Sequence, residues 1–370
     1  MRRLILAGFF VVAASYPLSA QTISGISGTL THGSAVTISG SGFGTKATAP
    51  PVKFDDFQSV PAGQPIATSA AGGPVWTSGG SIAPVASTAR PRVGTPNGQN
   101  MLSRFQPLGG SDPSASNVFI RHDFKKFYLD AWFYHDTSGE SSSAVNVKPW
   151  RLHWNNTGDP NASGMVWVSG LGGDVVNCAY DGDSPDDGVS DFFPGLRASN
   201  IANGWVHLQQ WLDYGSGNGA INGTCITRLT GNIAATHSQI GNQNPGRSGY
   251  THWTELYIGN YVRSEDWSGT ARFYWDSIYV DDSWARIEIG DSPTYANATH
   301  REVQVPSAWT STSATITVNR GSFPPNAPVY LYVCTESNAC SSGYPVTLGG
   351  SGGSPALPPS PQNLRIQPQP

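Results

Sequence analysis

The stretch AVTISGSGFGT, Ala35 to Thr45, decides how this chain is read. Val36-Thr37-Ile38 is a β-branched strand, and Gly40, Gly42 and Gly44 behind it punctuate a tight bend between strands of a small sandwich. The pattern then stops, so the remaining strands of that sandwich must come from elsewhere. Far downstream, Ser313 to Leu348 supplies Ile316/Val318, Val329/Leu331/Val333 and Val346/Leu348 at period two, separated by Gly, Pro and Asn turns. Neither fragment is large enough to close a two-sheet core alone.

The segment ISGTLTHGSAVTISGSGFGT resembles the opening of an IPT/TIG immunoglobulin-like domain, and PSAWTSTSATITVNRGSFPPNAPVYLYVCTESNACSSGYPVTL resembles its closing part. Together they imply one discontinuous Ig-like sandwich, residues 21–51 and 295–349, with residues 52–294 inserted at a turn. Loop-closure cost grows only logarithmically with loop length, and the ends of a compact insert often lie close together, so such an insertion is physically cheap.

The remaining composition sets the class. Gly at 43 and Pro at 28, with no convincing amphipathic helix, indicate an all-β chain of many turns. Arg2 and Arg3 precede an apolar run from Leu4 to Ala14 and the small-residue site Leu18-Ser19-Ala20, so residues 1–20 read as a secretory signal removed after Ala20. The expected location is extracellular or periplasmic. A charged fraction of 12% and a net charge of −4 leave no basic footprint for nucleic acid. No stretch is apolar enough for a transmembrane segment, and the chain is expected to be a monomer. Four cysteines in an exported chain favour two disulfides; of three connectivities, nearest-neighbour pairing gives Cys178–Cys225 and Cys334–Cys340. Residues 350–370, Gly/Ser-rich and then Pro-rich, read as a disordered tail, and PSPQNLRI within it resembles the first strand of a fibronectin type III module.

The inserted segment opens with VKFDDF and closes with RFYWDSIYVDDSWARIEIGD; between them lie aromatic-rich strand-like runs joined by Gly/Asn/Asp/Ser loops, the pattern of a two-sheet jelly roll. These end segments resemble those of the concanavalin-like (laminin-G-like) superfamily, in which the first strand lies beside the last. The resemblance implies a carbohydrate ligand, since that superfamily includes lectins, carbohydrate-binding modules, polysaccharide lyases and glycoside hydrolases.

Alternation assigns the faces. In WVHLQQWLDY, Val206, Leu208 and Leu212 read as core, opposed by Trp205, His207, Gln209, Trp211 and Asp213. In THWTELYIGNY, Leu256 and Ile258 read as core, leaving Trp253, Glu255 and Tyr257 outward; in KPWRLHWNN, Arg151, His153 and Asn155 oppose Trp150, Leu152 and Trp154. On one concave sheet, Arg151, His153, His207, Gln209, Trp211, Glu255 and Tyr257 would form a polar groove floored by rings, joined by Tyr128, Asp130, Trp132 and Tyr134. Rings match the C–H faces of sugars and fixed polar groups match their hydroxyls, so the expectation is a polysaccharide-binding or adhesion protein. The alternative is a polysaccharide lyase acting by β-elimination on a uronate polymer. Arg151 and Gln209 would neutralise the carboxylate, while His153, His207 or Tyr257 would take the C5 proton. This residue set resembles that of jelly-roll polysaccharide lyases, although their QIH tripeptide and YFKAG-like strand are missing. A glycosidase needs two carboxylates about 5–9.5 Å apart, and Glu255 is the one obvious candidate. Asp55 or Asp56 with Asp276 could hold a structural Ca2+ at the sandwich edge, while DGDSPDDGVSD (Asp181 to Asp191) misses the spacing of a calcium-binding EF-hand loop.

Overall fold

The structure is a computed structural model and describes residues 20–69, 71–96, 98–105, 114–139, 146–153, 165–166, 177–180, 190–192, 202–217, 222–231, 237–243, 251–263 and 270–350. The expected signal, the tail after residue 350 and the acidic run 181–189 lie outside these residues. The described chain is all-β, with two short 3-10 turns as its helical content.

Residues from both ends of the chain share one small sandwich. Ala35–Ser41 pairs with Thr22–Ser27 on one side and with Ser313–Thr317 on the other, placing Val36 opposite Ile316 and Ile38 opposite Ala314; Val305–Trp309 completes this sheet. The facing sheet runs Arg301–Val303, Arg286–Gly290, Pro328–Cys334, Tyr344–Thr347, so Arg286–Gly290, expected within the segment 52–294, pairs instead in the small sandwich, whose core takes Ile287 and Ile289. Val36, Ile38, Ile287, Ile289, Ile316, Leu331 and Val333 are buried together between them. This arrangement joins residues far apart in sequence because neither segment alone could remove its apolar face from water. The Cys334–Cys340 disulfide closes the turn after Pro328–Cys334.

Most of the rest of the chain forms a larger sandwich, and Met165–Val166, Asn177–Tyr180 and Ser190–Phe192 make a separate three-stranded sheet that touches its Asn146–His153 strand. Its long sheet runs His237–Gln243, Gly223–Gly231, Trp205–Asp213, Lys126–Asp136, Ala271–Asp281, Asn100–Phe105, Val85–Ser87, and Lys53–Asp55 also pairs with Ala271–Asp281. The first strand of this body therefore lies beside its last. The short sheet runs Thr77–Gly80, Ser114–Phe124, Trp253–Arg263, Asn146–His153. Leu129, Phe133, Val206, Leu208, Leu212 and Trp275 meet Val118, Ile120, Trp150, Leu152, Leu256 and Ile258 in the core. Gln210 belongs to this inner face too. It accepts from Trp150 Nε1 at 3.1 Å and donates to Thr227 at 3.1 Å, so its polar end is satisfied inside the core.

The two sandwiches meet face to face. Alternation along Arg286–Gly290 sends Ile287 and Ile289 into the small core and Arg286 and Glu288 out of it, against the outer face of the long sheet. There Glu288 pairs with Arg286 at 2.6 Å and Arg301 at 3.2 Å and accepts from Gln209 at 3.2 Å; Arg286 lies over the rings of Tyr128 and Trp211. Nearby, Arg92 binds Asp276 at 2.9 Å and Glu302 at 2.5 Å and sits over Trp132. Burial works to raise the Glu288 pKa, but Arg301 and Arg286 together hold it below the usual carboxylate range.

Replacing Glu288 by Ala leaves two buried guanidinium groups without their carboxylate, and chemical denaturation at neutral pH is expected to show a loss of about 3–5 kcal/mol. Since the folded Glu288 pKa lies below its unfolded value, this contribution is complete above about pH 5 and is lost as pH falls through the folded value. The wild type and Glu288→Ala should therefore converge in strong acid.

Candidate functional site

The groove expected from alternation is divided between two sheets. His207, Gln209 and Trp211 do point away from the core, but they lie on the long sheet, beneath the small sandwich, at 0%, 1% and 3% exposure. His207 Nε2 bonds Asp130 at 2.9 Å and its ring stacks on Trp132; Gln209 donates to Asp130 at 2.8 Å and to Tyr128 at 3.0 Å, and bonds Arg301. Gln209 and Trp211 meet the small sandwich directly, through Arg301, Glu288 and Arg286, and His207 braces Asp130 and Trp132 beside them. A single open groove containing all seven side chains is corrected on this geometry, because alternation shows which side of a strand a residue takes but not what covers that side. Tyr134 is on the same long-sheet face, half-buried at its margin, with the Arg90 guanidinium 5.6 Å from its ring and Trp205 and Tyr274 edge-on.

Arg151, His153, Glu255 and Tyr257 are together, on the outer face of the short sheet, where Arg151 and Glu255 are buried at 6% and 4% exposure and His153 and Tyr257 are half-buried. The register sets Glu255 opposite His153 on one side and Arg121 on the other, and Tyr257 opposite Arg151 on one side and Phe119 on the other. Two cross-strand rows result: His153, Glu255, Arg121; and Arg151, Tyr257, Phe119. Arg121 Nε bonds Glu255 at 2.8 Å while its side chain remains 64% exposed, and the Tyr257 hydroxyl donates to the other Glu255 oxygen at 3.0 Å. The Phe119 and Tyr257 rings stack with centroids 5.0 Å apart, and the His153 ring lies 4.7 Å from Tyr257. Phe119 and Arg121 were not singled out from sequence. The signal was present, since Val118 and Ile120 alternate with them and go to the core.

Two irregularities shape this face. Trp253, expected outward, is fully buried and packs edge-on against Tyr214. The register shifts between Trp253 and Glu255, so that they pair with Phe124 and Arg121, and a bulge here turns Trp253 inward while Glu255 stays out. Beyond Ile258 the register shifts again against Asn146–His153. Gly259 there has φ +73°, and a Cβ would lie 2.2 Å from Ser103 Oγ.

Burial and the neighbouring Glu255 carboxylate push the Tyr257 hydroxyl up to about 12. At neutral pH it is an O–H donor aimed at Glu255. The face thus offers two guanidinium groups, one imidazole, one carboxylate and a stacked aromatic pair, a set that can hold hydroxyls and anionic groups of an extended polymer.

The expected calcium ligands are turned to other partners. Asp55 accepts from Phe57 N at 2.8 Å, Ser69 at 2.7 Å and Trp76 Nε1 at 2.8 Å. Asp276 binds Arg92 and Ser277. Asp56 is left beside both carboxylates, and burial first, then their charge, raises it to about 6. A donor set already committed to an arginine and to N–H and O–H groups fits a hard cation poorly, and among the described residues no group of three ligating side chains converges. The side chains of Cys178 and Cys225 lie outside the described residues.

No family model matches the chain, and no curated protein matches it. Solved structures that resemble part of the chain do so at low identity and with TM-scores below 0.5. The PL-14 alginate lyase from Aplysia kurodai is 10% identical, over 53% of this chain and 86% of that one, with a TM-score of 0.38. The cellulose induced protein Cip1 is 14% identical, over 56% and 91%, at 0.36. The alginate lyase vAL-1 from Chlorella virus is 9% identical, over 56% and 92%, at 0.36.

Two titrations check the electrostatics. In Glu255→Gln, the Tyr257 pKa read by tyrosine NMR should fall from about 12 towards, but not to, the ordinary 10, because burial is the larger cause and remains. A folded Asp56 pKa near 6 against 3.8 unfolded means that the wild type loses stability as pH rises through that interval. The stability gap favouring Asp56→Asn should open from pH 4 to 6 and stay constant above, at on the order of 1–3 kcal/mol.

Proposed function

We propose that this is an exported polysaccharide-binding protein whose ligand lies along the outer face of the short sheet, across Phe119, Arg121, Arg151, His153, Glu255 and Tyr257. One observation carries the reading. The stacked Phe119–Tyr257 pair is flanked in register by fixed charged and polar groups on three adjacent strands, which is what a polymer of pyranose rings needs for apolar faces and hydroxyls together. The terminal segments are read as a TIG-like module that carries the larger sandwich and covers its other face.

A lyase acting on a uronate polymer is the second reading, favoured by the direct apposition of Arg151 to Tyr257 and of His153 to Glu255. Arg151 would neutralise the carboxylate and His153 would take the C5 proton. Tyr257, an O–H donor at neutral pH, suits protonation of the leaving oxygen better than proton abstraction. Binding is preferred because the aromatic pair and Arg121 serve it directly.

Affinity electrophoresis through a panel of neutral and uronate polysaccharides tests both. The wild type should be retarded by at least one polymer, with Kd weakened at least about tenfold in Tyr257→Ala and in Arg151→Ala, and with no rise in absorbance from an unsaturated uronate. Retardation unchanged in both variants would overturn the site. Product absorbance that disappears in His153→Ala would establish the lyase reading instead.

A further inference from the structure

The chain crosses between the two sandwiches twice, and one buried contact joins the crossings. Lys46 follows the Ala35–Ser41 strand on the way out of the small sandwich, and Asp281 ends the Ala271–Asp281 strand on the way back. Their side chains are 235 residues apart in sequence, 0% and 1% exposed, and 2.7 Å from Nζ to Oδ2. The Tyr279 hydroxyl donates to the same Oδ2 at 2.7 Å, while Oδ1 is buried with no hydrogen-bond partner among the described residues. Tyr279 itself packs among Tyr128, Trp211, Trp284 and Val303, so one side of the contact is aromatic, while the Asp282 carboxylate, bonded to His122 and 38% exposed, stands on the other.

As an ion pair this contact is poorly served. An ammonium has three protons to donate, and among the described residues Lys46 places one, on Asp281. Buried ions need every donor and acceptor met. Burial has also pushed the Asp281 carboxyl up to about 7 against the pull of Lys46, so the neutral acid is accessible near neutral pH. What is left unmet, two protons on Nζ and the oxygen Oδ1, has the composition of one water molecule.

We propose that Lys46 and Asp281 condense to an isopeptide bond that ties the two crossings together covalently. Nζ gives a proton to Oδ1, leaving an amine and a carboxylic acid. The Nζ lone pair adds to Cγ, and the Tyr279 hydroxyl holds the negative charge that develops on Oδ2. Nζ passes a second proton to the Oδ1 hydroxyl, which leaves as water. The Nζ–Cγ bond forms, the Cγ–Oδ1 bond breaks, and no oxidant or other reactant is consumed. The amide keeps one N–H and one oxygen, and that oxygen is already bonded to Tyr279. Holding amine and acid in contact away from water makes a reaction that is slow between free side chains effectively unimolecular.

Mass spectrometry of the full chain, reduced and denatured, tests this without any variant. With the N-terminus determined, its mass should be one water below that of the sequence. Trypsin should fail to cut after Lys46 and should release a branched peptide joining the segments that contain Lys46 and Asp281. Lys46→Arg and Asp281→Ala should each return to the sequence mass, and the former should melt at a lower temperature than the wild type. A mass equal to that of the sequence, with a linear peptide ending at Lys46, would overturn the proposal, as would a lost water located at any other residue.

Discussion

The structure depends on a set of charges removed from water between two sandwiches. Arg286, Glu288 and Arg301 from the small one meet Gln209, Tyr128 and Trp211 on the large one, and Arg92 joins Asp276 to Glu302 beside them. Ions so buried are tolerable only when each is matched, and the matching fixes one relative orientation of the two bodies. It also decides which surface of the larger sandwich is covered by the small one. With the long sheet covered, the outer face of the short sheet, where Arg121 is exposed and Phe119, His153 and Tyr257 are half-buried, is the chemically rich surface that remains among the described residues.

Much of the fold is legible in the sequence. Val36/Ile38 and Ile316/Val318 show by period two that they need a common core, and the structure pairs those strands directly. Val206, Leu208, Leu212, Leu256 and Ile258 reach the core as alternation requires, and Gln210, on the same side of its strand, is satisfied there by Trp150 across the core and Thr227 on the neighbouring strand. What alternation could not reveal is sheet membership. His207 and His153 carry the same local signature, a polar residue between apolar ones, yet one stacks on Trp132 beneath the small sandwich and the other stands half-buried beside Tyr257 on the outer face of the short sheet. Trp253 was misassigned for a local reason. A bulge changes the parity of a strand, and nothing in Trp253-Thr254-Glu255 announces one.

The open face and the crossings place opposite demands on the chain. A binding face built from three strands requires Arg121, Tyr257 and Arg151 to stay in register, which the surrounding core of Ile120, Leu256 and Leu152 enforces from below. A body joined to its neighbour by two crossings can move about them unless they are held, and here the Lys46–Asp281 contact and the buried ion network hold them at different points. The rigidity of the site and the attachment of the body that carries it thus have separate physical sources.

Hydrogen–deuterium exchange with and without a retained polysaccharide distinguishes the two faces most directly. Added protection should appear in residues 117–121, 151–153 and 255–258, with no change in 205–213, where burial between the sandwiches already slows exchange. Protection gained in 205–213 and absent from the short sheet would contradict the assignment of the site.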